Sequence, residues 1–377
     1  MTKKKSRRRS SDQAKVRYAV VGAGHIAQVA MLPAFAHARE TSELVALISS
    51  DPVKRKQLAR KYRLDHTGDY DELEDVLAAS GADAVYVAVP NHAHRTITER
   101  ALAAGAHVLC EKPMAITEAD CKAMIAAAQR ADRRLMIAYR LHLDRATLRA
   151  IDLAHRGKLG ELRYFSSVFS HQIRAGDIRT ESELGGGALY DLGPYCINAA
   201  RHLFRAEPTE VSAFQVRGVD ERSEEVDEMT SALLRFPGGR VAQFTVSQGA
   251  AAISNYRIVG TKGDLRVEPG FEYVDGIVHF LTRNERTKER AFPRTDQFAP
   301  QLVELSRCIR ENLEPESSGD EGLADVRVLQ AIARSAATGK AVTLLPHARA
   351  GRPESQRPIA KPPIAKPRLV HASSSSS

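Results

Sequence analysis

Residues 16–51 read VRYAVVGAGHIAQVAMLPAFAHARETSELVALISSD, and this stretch constrains the fold more than any other. An apolar run at 18–21 enters a turn, Gly22-Ala23-Gly24-His25-Ile26-Ala27. A helix-compatible segment follows, then a second apolar run at 44–48. Strand, tight turn, helix and strand, in that order, make a parallel βαβ unit. Gly22 permits the sharp turn, Gly24 lets backbone approach a pyrophosphate, and Ala27 fills the third small position, where helix and strand pack closely. The helix N-terminus then offers unpaired N–H groups and positive dipole character to an anion. G-x-G-x-x-A spacing alone is common; the flanking strands and helix supply the context it requires. The turn therefore points to a dinucleotide site contacted by Gly22, Gly24, His25 and Ile26.

A chain of 377 residues exceeds one typical core, so two domains plus tails are expected. The net charge of +9 would suit a nucleic-acid binder, and its location decides the matter. Residues 1–15 carry +6 and residues 347–377 carry +5, which leaves −2 for residues 16–346. The basicity belongs to the tails, and no specific nucleic-acid partner is expected. The start, KKKSRRRS, lacks the apolar segment of a secretory signal, and no run approaches the ~20 apolar residues of a membrane span. A cytoplasmic location without membrane attachment follows as an expectation. The end repeats PIAKP and finishes in serines, which reads as an extended, disordered tail. Cys110, Cys121, Cys196 and Cys308 stand singly, without zinc spacing, as free thiols in a reducing compartment.

Along the chain, residues 52–62 and 71–79 read as helices and 84–89 (AVYVAV) as a strand ended by Pro90-Asn91. Residues 94–104 are helical, and 107–110 form the strand that runs into Glu111-Lys112-Pro113. A helix at 117–131 takes Thr117 and Asp120 in its first turn, and another strand lies at 134–138. Alternation of this kind predicts a doubly wound parallel sheet over 16–139. From about residue 140 the texture changes to β-like runs separated by turns such as Pro237-Gly238-Gly239, with a helix at 188–204 and closing helices at 298–312 and 323–338. The fold class is α/β: a Rossmann domain, then an α/β domain over 140–346 with a large, mainly antiparallel open sheet.

Three constellations carry chemistry. The end of the second strand selects the nucleotide, because an acidic side chain there holds both ribose hydroxyls of NAD and repels a 2′-phosphate. This chain has Ser49 and Ser50, then Asp51, with Lys54 and Arg55 behind them; hydroxyls and a cation can donate to a phosphate. NADP is expected. NAD stays open through Asp51, which reads equally as an N-cap ahead of Pro52. Next, Glu111-Lys112-Pro113 ends a strand on the ligand-binding edge of the sheet, where a lysine can support a developing alkoxide. In the third, GGGALYDLGPY at 185–195, Asp191 and Tyr195 lie four apart and share a helix face. Tyr195 can move a hydroxyl proton if a cationic neighbour lowers its pKa.

Together these pieces resemble the glucose–fructose oxidoreductase / inositol dehydrogenase / rhizopine catabolism (Gfo/Idh/MocA) oxidoreductases, over about 16–345. The resemblance rests on VVGAGHIA, YVAVPNHAH, HVLCEKPMAIT, LMIAYRLH, GKLGEL, GGGALYDLGPYCIN and GDEGLADVRVLQAI, and is nearest to the glucose–fructose oxidoreductase branch. It implies a sugar or polyol oxidoreductase in which Lys112 contacts substrate, Tyr195 is the acid/base and Asp191 stands beside it. Ser49 and Lys54 fit the branch's NADP phosphate contacts. Pro90, Asn91, His94, Glu111 and Arg140 fall along the cofactor, and Arg179 is a further substrate-site candidate. No metal is expected, since no His/Asp/Glu set has ligand spacing; His142, His171 and His202 read as polar core or surface residues. The open second sheet, which this family commonly pairs with another subunit, implies a homodimer or homotetramer. A non-catalytic NADP-binding sensor on the same fold is the alternative, which retention of both Lys112 and Tyr195 disfavours.

Overall fold

A computed structural model describes residues 14–219, 221–347, 352–354 and 358–372. The basic N-terminal segment at 1–13 therefore lies outside the described residues.

The first domain alternates strand and helix: β1 (Val16–Val21), α1 (Leu32–Ala38), β2 (Ser42–Ile48), α2 (Pro52–Tyr62), β3 (His66–Gly68), α3 (Leu73–Ser80), β4 (Ala84–Val87), α4 (His94–Ala103), β5 (His107–Cys110), α5 (Glu118–Ala131) and β6 (Leu135–Ile137). The six strands pair in parallel in the order β3-β2-β1-β4-β5-β6. Both faces are covered by helices, so the strands read as nearly continuous apolar runs: β4 is AVYV, and every residue in it is buried. The order reverses between β1 and β4, and the crevice beyond their carboxyl ends is where such a sheet binds ligands.

Local chemistry sets the element ends. Asp51 caps α2, its Oδ1 accepting from Val53 N–H (2.8 Å) and Lys54 N–H (3.0 Å), with Pro52 in the first helical position. Thr117 caps α5 by accepting from Asp120 N–H (3.1 Å).

The second domain holds α6 (Arg145–His155), β7 (Leu162–Ser170), α7 (Ala188–Phe204), β8 (Glu210–Arg217), β9 (Asp227–Phe236), β10 (Arg240–Ser247), β11 (Ile253–Gly260), β12 (Gly263–Glu268), β13 (Ile277–Arg283), β14 (Arg286–Phe292), α8 (Ala299–Glu311), α9 (Gly319–Thr338) and β15 (Val342–Thr343). Its nine strands run β14-β13-β12-β11-β7-β10-β9-β8-β15; β7 and β10 pair in parallel and the others antiparallel. Alternation along the central strands separates two faces. Phe165, Ala242, Phe244, Leu234 and Ile258 are buried beneath α7 and α9. The opposite face leaves Tyr164, Phe214, Leu233, Val241 and Ile253 exposed, Phe214 to 80 %.

The C-terminal tail departs from expectation. Residues 358–372 are free of regular secondary structure, yet they lie hydrogen-bonded to Gln28 and Lys61 of the first domain and to Arg294 and Asp296 of the second, while the closing serines at 373–377 lie outside the described residues. No described helix is long and apolar enough to cross a membrane.

Candidate active site

A cleft of about 910 Å³ runs from the glycine turn, past the ends of β4 and β5, to the first turn of α7. At its nucleotide end the wall is Gly24, His25, Ile26 and Lys54, with Ala88, Val89, Pro90 and Asn91 opposite. Gly22 has φ 96°, and a Cβ there would meet the Ala88 carbonyl oxygen at 2.3 Å; the turn tolerates only glycine. At Gly24 a Cβ would meet nothing within 4 Å, so the backbone faces open space. A helical segment starting at His25 directs its N-terminus there. Exposed backbone, a helix terminus and the Lys54 cation fit a pyrophosphate-bearing cofactor.

The end of β2 differs from expectation in one residue. Ser49 is 3 % exposed, and its hydroxyl lies 3.3 Å from Asp51 N–H, beneath the cleft surface rather than on its wall. Ser50 is exposed and interacts with Tyr70. Arg55 is occupied by the Ser49 carbonyl and by Asp69. Lys54 is the side chain of this group that lines the cleft. His94 is buried with its ring nitrogens 2.9 Å from the Pro113 carbonyl and 3.0 Å from that of Val89, and so ties the loops after β4 and β5 together. Asn91 donates to the Gly185 carbonyl (2.8 Å), joining the nucleotide domain to the glycine triplet.

At the chemical end, residues far apart in sequence converge. Lys112 Nζ donates to the Asp191 carbonyl (2.7 Å) and faces Asp191 Oδ1 at 3.3 Å. Arg179 Nε stands 3.1 Å from Asp191 Oδ2, to which Gln248 also donates (3.2 Å). Burial alone would raise the Asp191 carboxyl, but Arg179 and then Lys112 outweigh it and hold the group well below the usual carboxylate range. Tyr195, one turn further along α7, lies between two cations: Lys112 Nζ is 4.7 Å and the Arg140 guanidinium 4.9 Å from its ring centre. Arg140 is itself fixed by Gln297 and the Phe271 carbonyl. Glu111 accepts from the Tyr86 hydroxyl at 2.5 Å, and burial pushes its carboxyl up. Lys112, Asp191, Tyr195, Arg179, Arg140 and Glu111 all line the cleft.

Residues 16–139 match the oxidoreductase family with an NAD-binding Rossmann fold (Gfo/Idh/MocA), and residues 147–266 match the Gfo/Idh/MocA C-terminal domain. A D-xylose 1-dehydrogenase [NADP(+)] from Haloarcula marismortui is 32 % identical over 87 % of this chain and 93 % of its own. This chain belongs to the Gfo/Idh/MocA family. Among solved members, the aldose-aldose oxidoreductase of Caulobacter crescentus, complexed with glycerol, aligns with a TM-score of 0.83 and 38 % identity over 88 % of this chain and all of that one. A 3-ketoreductase from Actinomadura kijaniata, in complex with NADP and TDP-benzene, gives 0.78 and 28 % over 85 % and 98 %.

The motif GDEGLAD now has a physical role in this member of the family. Glu321 and Asp325 on α9 accept from the fully buried Arg201 of α7 and from Asn198. His202 and His142 join the same network, His142 also reaching Glu316 at 2.7 Å. Ligand atoms of His142, His202 and Glu321 come close together there. Glu321 is committed to a guanidinium, so the cluster is a polar brace that holds α7, and with it Asp191 and Tyr195, against α9. Gln248 carries no mark in the sequence, and His171 reads there only as a polar core or surface residue. His171 lines the cleft, and its Nε2 is buried with no hydrogen-bond partner among the described residues; Gln248 follows β10 and grips Asp191.

Proposed function

We propose that this protein is an NADP-dependent oxidoreductase acting on a CH–OH carbon of a sugar or polyol ring. The observation that carries the reading is the meeting of Lys112, Asp191 and Tyr195 at the carboxyl edge of the Rossmann sheet, in the cleft that begins at the glycine turn. Relatives named for NADP, xylose and aldoses support the cofactor and substrate class.

Gly22, Gly24, His25 and Ile26 would hold the pyrophosphate, Ser50 and Lys54 the phosphorylated ribose, and Pro90, Asn91, His94, Glu111 and Arg140 the span beyond. Bound there, the nicotinamide supplies hydride acceptance and donation. Tyr195 takes the proton from the substrate hydroxyl as the carbonyl forms and returns it in the reverse direction. Its ring lies 4.7 Å from Lys112 Nζ and 4.9 Å from the Arg140 guanidinium, which places both cations beside the reacting group. Lys112 donates to the same substrate oxygen and stabilises the developing negative charge. Asp191 holds Lys112 in place, and Arg179 keeps Asp191 ionised at neutral pH. Arg179 and His171 stand where further ring hydroxyls would bind. The exposed apolar face of the second sheet supports burial against another copy, as a homodimer or homotetramer.

The test is a panel of aldoses and polyols with NADP(H), followed by Lys112→Ala and Tyr195→Phe on the best substrate. Turnover should fall about 10²–10⁴-fold in each variant, the usual span for a lost acid–base or charge-stabilising group, while nucleotide binding persists. Nucleotide binding without turnover of any panel member would favour the sensor. Full turnover in either variant would sink that residue's role.

A further inference from the structure

The proline-rich C-terminal segment has a seat that the family reading does not account for. Gln28, just after the glycine turn, is 1 % exposed, and its amide clasps the segment in both directions. Gln28 Nε2 donates to the Val370 carbonyl at 2.7 Å, and Gln28 Oε1 accepts from Val370 N–H at 2.7 Å. Upstream, Asp296 N–H donates to the carbonyls of Lys361 (3.2 Å) and Pro362 (3.1 Å), and Arg294 donates to that of Ile364 (3.3 Å). Ile364 and Val370 pack against the apolar core beneath β1 and α1. The segment thus delivers His371 and Ala372 into the wall of the cleft, beside Gly24, Ile26 and Lys54.

His371 meets Asp51 there: the carboxylate Oδ2 accepts from His371 Nδ1–H at 3.3 Å. Asp51, three residues past the end of β2, is the acidic side chain placed to grip the ribose diol of NAD and repel a 2′-phosphate. In this chain its Oδ1 is spent on capping α2, while Oδ2 faces both His371 and Lys54 Nζ (3.8 Å). A ribose diol would have to compete with His371 for Oδ2, and two nitrogen donors offset the charge that would oppose a phosphate.

We propose that residues 358–372 are a built part of the nucleotide site, closing its adenosine end, and that His371 makes the Asp51 corner accept the 2′-phosphate of the adenosine ribose. The proposal rests on the NADP reading. The doubled PIAKP motif suits the task, because proline holds the segment extended before it docks and lowers the ordering cost.

The experiment is calorimetric titration of the full-length protein with 2′,5′-ADP and with 5′-ADP, repeated on full-length His371→Ala and Val370→Pro. Both substitutions lie in the tail, outside the two sheets. Val370→Pro deletes the N–H that Gln28 accepts and so unseats the segment. We expect the parent to bind 2′,5′-ADP more tightly than 5′-ADP. His371→Ala should weaken 2′,5′-ADP roughly tenfold, the scale of one hydrogen bond to a charged group, and leave 5′-ADP within about twofold. Val370→Pro should weaken both. A parent that prefers 2′,5′-ADP, with both variants matching it on both ligands, would overturn the tail proposal and leave the NADP reading standing. A parent with no preference for 2′,5′-ADP would overturn the NADP reading and the role of His371 with it.

Discussion

The two ends of the cleft are built from different materials. At the glycine turn, backbone and small residues do the shaping: Gly22 can be nothing larger, and Gly24 leaves an open surface. At α7 the shaping is done by paired charge, with one buried carboxylate shared among Lys112, Arg179 and Gln248. The turn at the first end is local, set within one βαβ unit, although the loop after β4 walls it from the other side. The second draws on the loop after β5, the loop before α7, α7 itself and the end of β10. Backbone shape is set by residues adjacent in sequence, whereas a charge network needs a finished tertiary fold to bring its members together. A change at one end should therefore leave the other largely intact.

The largest expected effect follows from Asp191→Asn. It leaves Lys112 and Arg179 without their common counter-charge in a buried site, a loss on the order of 3–5 kcal/mol when one partner of a buried pair is removed. Turnover should drop by about 10²-fold or more, and thermal stability should fall. Nucleotide affinity, measured by fluorescence titration, should change only a few-fold, since no hydrogen bond or ion pair from Asp191 reaches the glycine turn. A nucleotide affinity that fell in parallel with turnover would erase the distinction between the two ends.

A second carboxylate, at the start of β9 and set against the first turn of the same helix, sharpens the point about charge. Asp227 accepts from Leu189 N–H (2.8 Å) at the start of α7 and from the Thr230 hydroxyl (2.7 Å), with no cation paired to it among the described residues. Burial pushes its carboxyl up to about 6, the reverse of Asp191. A raised folded-state pKa favours the neutral form, so its stabilising contribution is complete below the unfolded value near 3.8 and is lost as pH rises through about 6. The full swing is about 3 kcal/mol at most. Asp227→Asn removes that titration. Relative to the parent, its unfolding free energy should therefore improve between pH 4 and pH 7, read by denaturant melts at both. A difference that does not vary with pH would mean that the carboxylate is not held in its neutral form.

Legibility in the sequence follows the same division. The glycine turn, Glu111-Lys112-Pro113 and the Asp191/Tyr195 spacing could be read because each is a short local pattern. Asp51 as an N-cap was one of two open readings, decided by two backbone N–H groups. Ser49 turns under the surface, its hydroxyl against Asp51 N–H, and a strand end does not reveal which of its side chains will do so. β14 leaves no signal in the sequence, because RTKERAF has no apolar alternation and forms an edge strand exposed along nearly its whole length. Gln248 and His171 lie about 57 and 20 residues from Asp191, too far for any spacing rule to join them to it. The seat of residues 358–372 is the least legible, because their composition is that of an extended chain and their contact with Gln28 spans 342 residues.

The smallest effect tests the nucleotide end where charge does enter it. Lys54 is mostly buried, lines the cleft and sits 3.8 Å from Asp51. Lys54→Ala removes one cation from the proposed phosphate corner but leaves the backbone cradle untouched. NADP affinity should fall about tenfold, near 1.4 kcal/mol for one charge-assisted contact, while NAD affinity stays within about twofold. The loss should shrink as ionic strength rises, because the Debye length falls to ~3 Å at 1 M salt. The kinetic signature is a raised KM for NADP with kcat retained at saturation, since Lys54 has no hydrogen bond or ion pair to Lys112, Asp191 or Tyr195. Equal losses for NAD and NADP would mean that Lys54 supports the turn itself. Backbone shape and charge would then be one device at this end, not two.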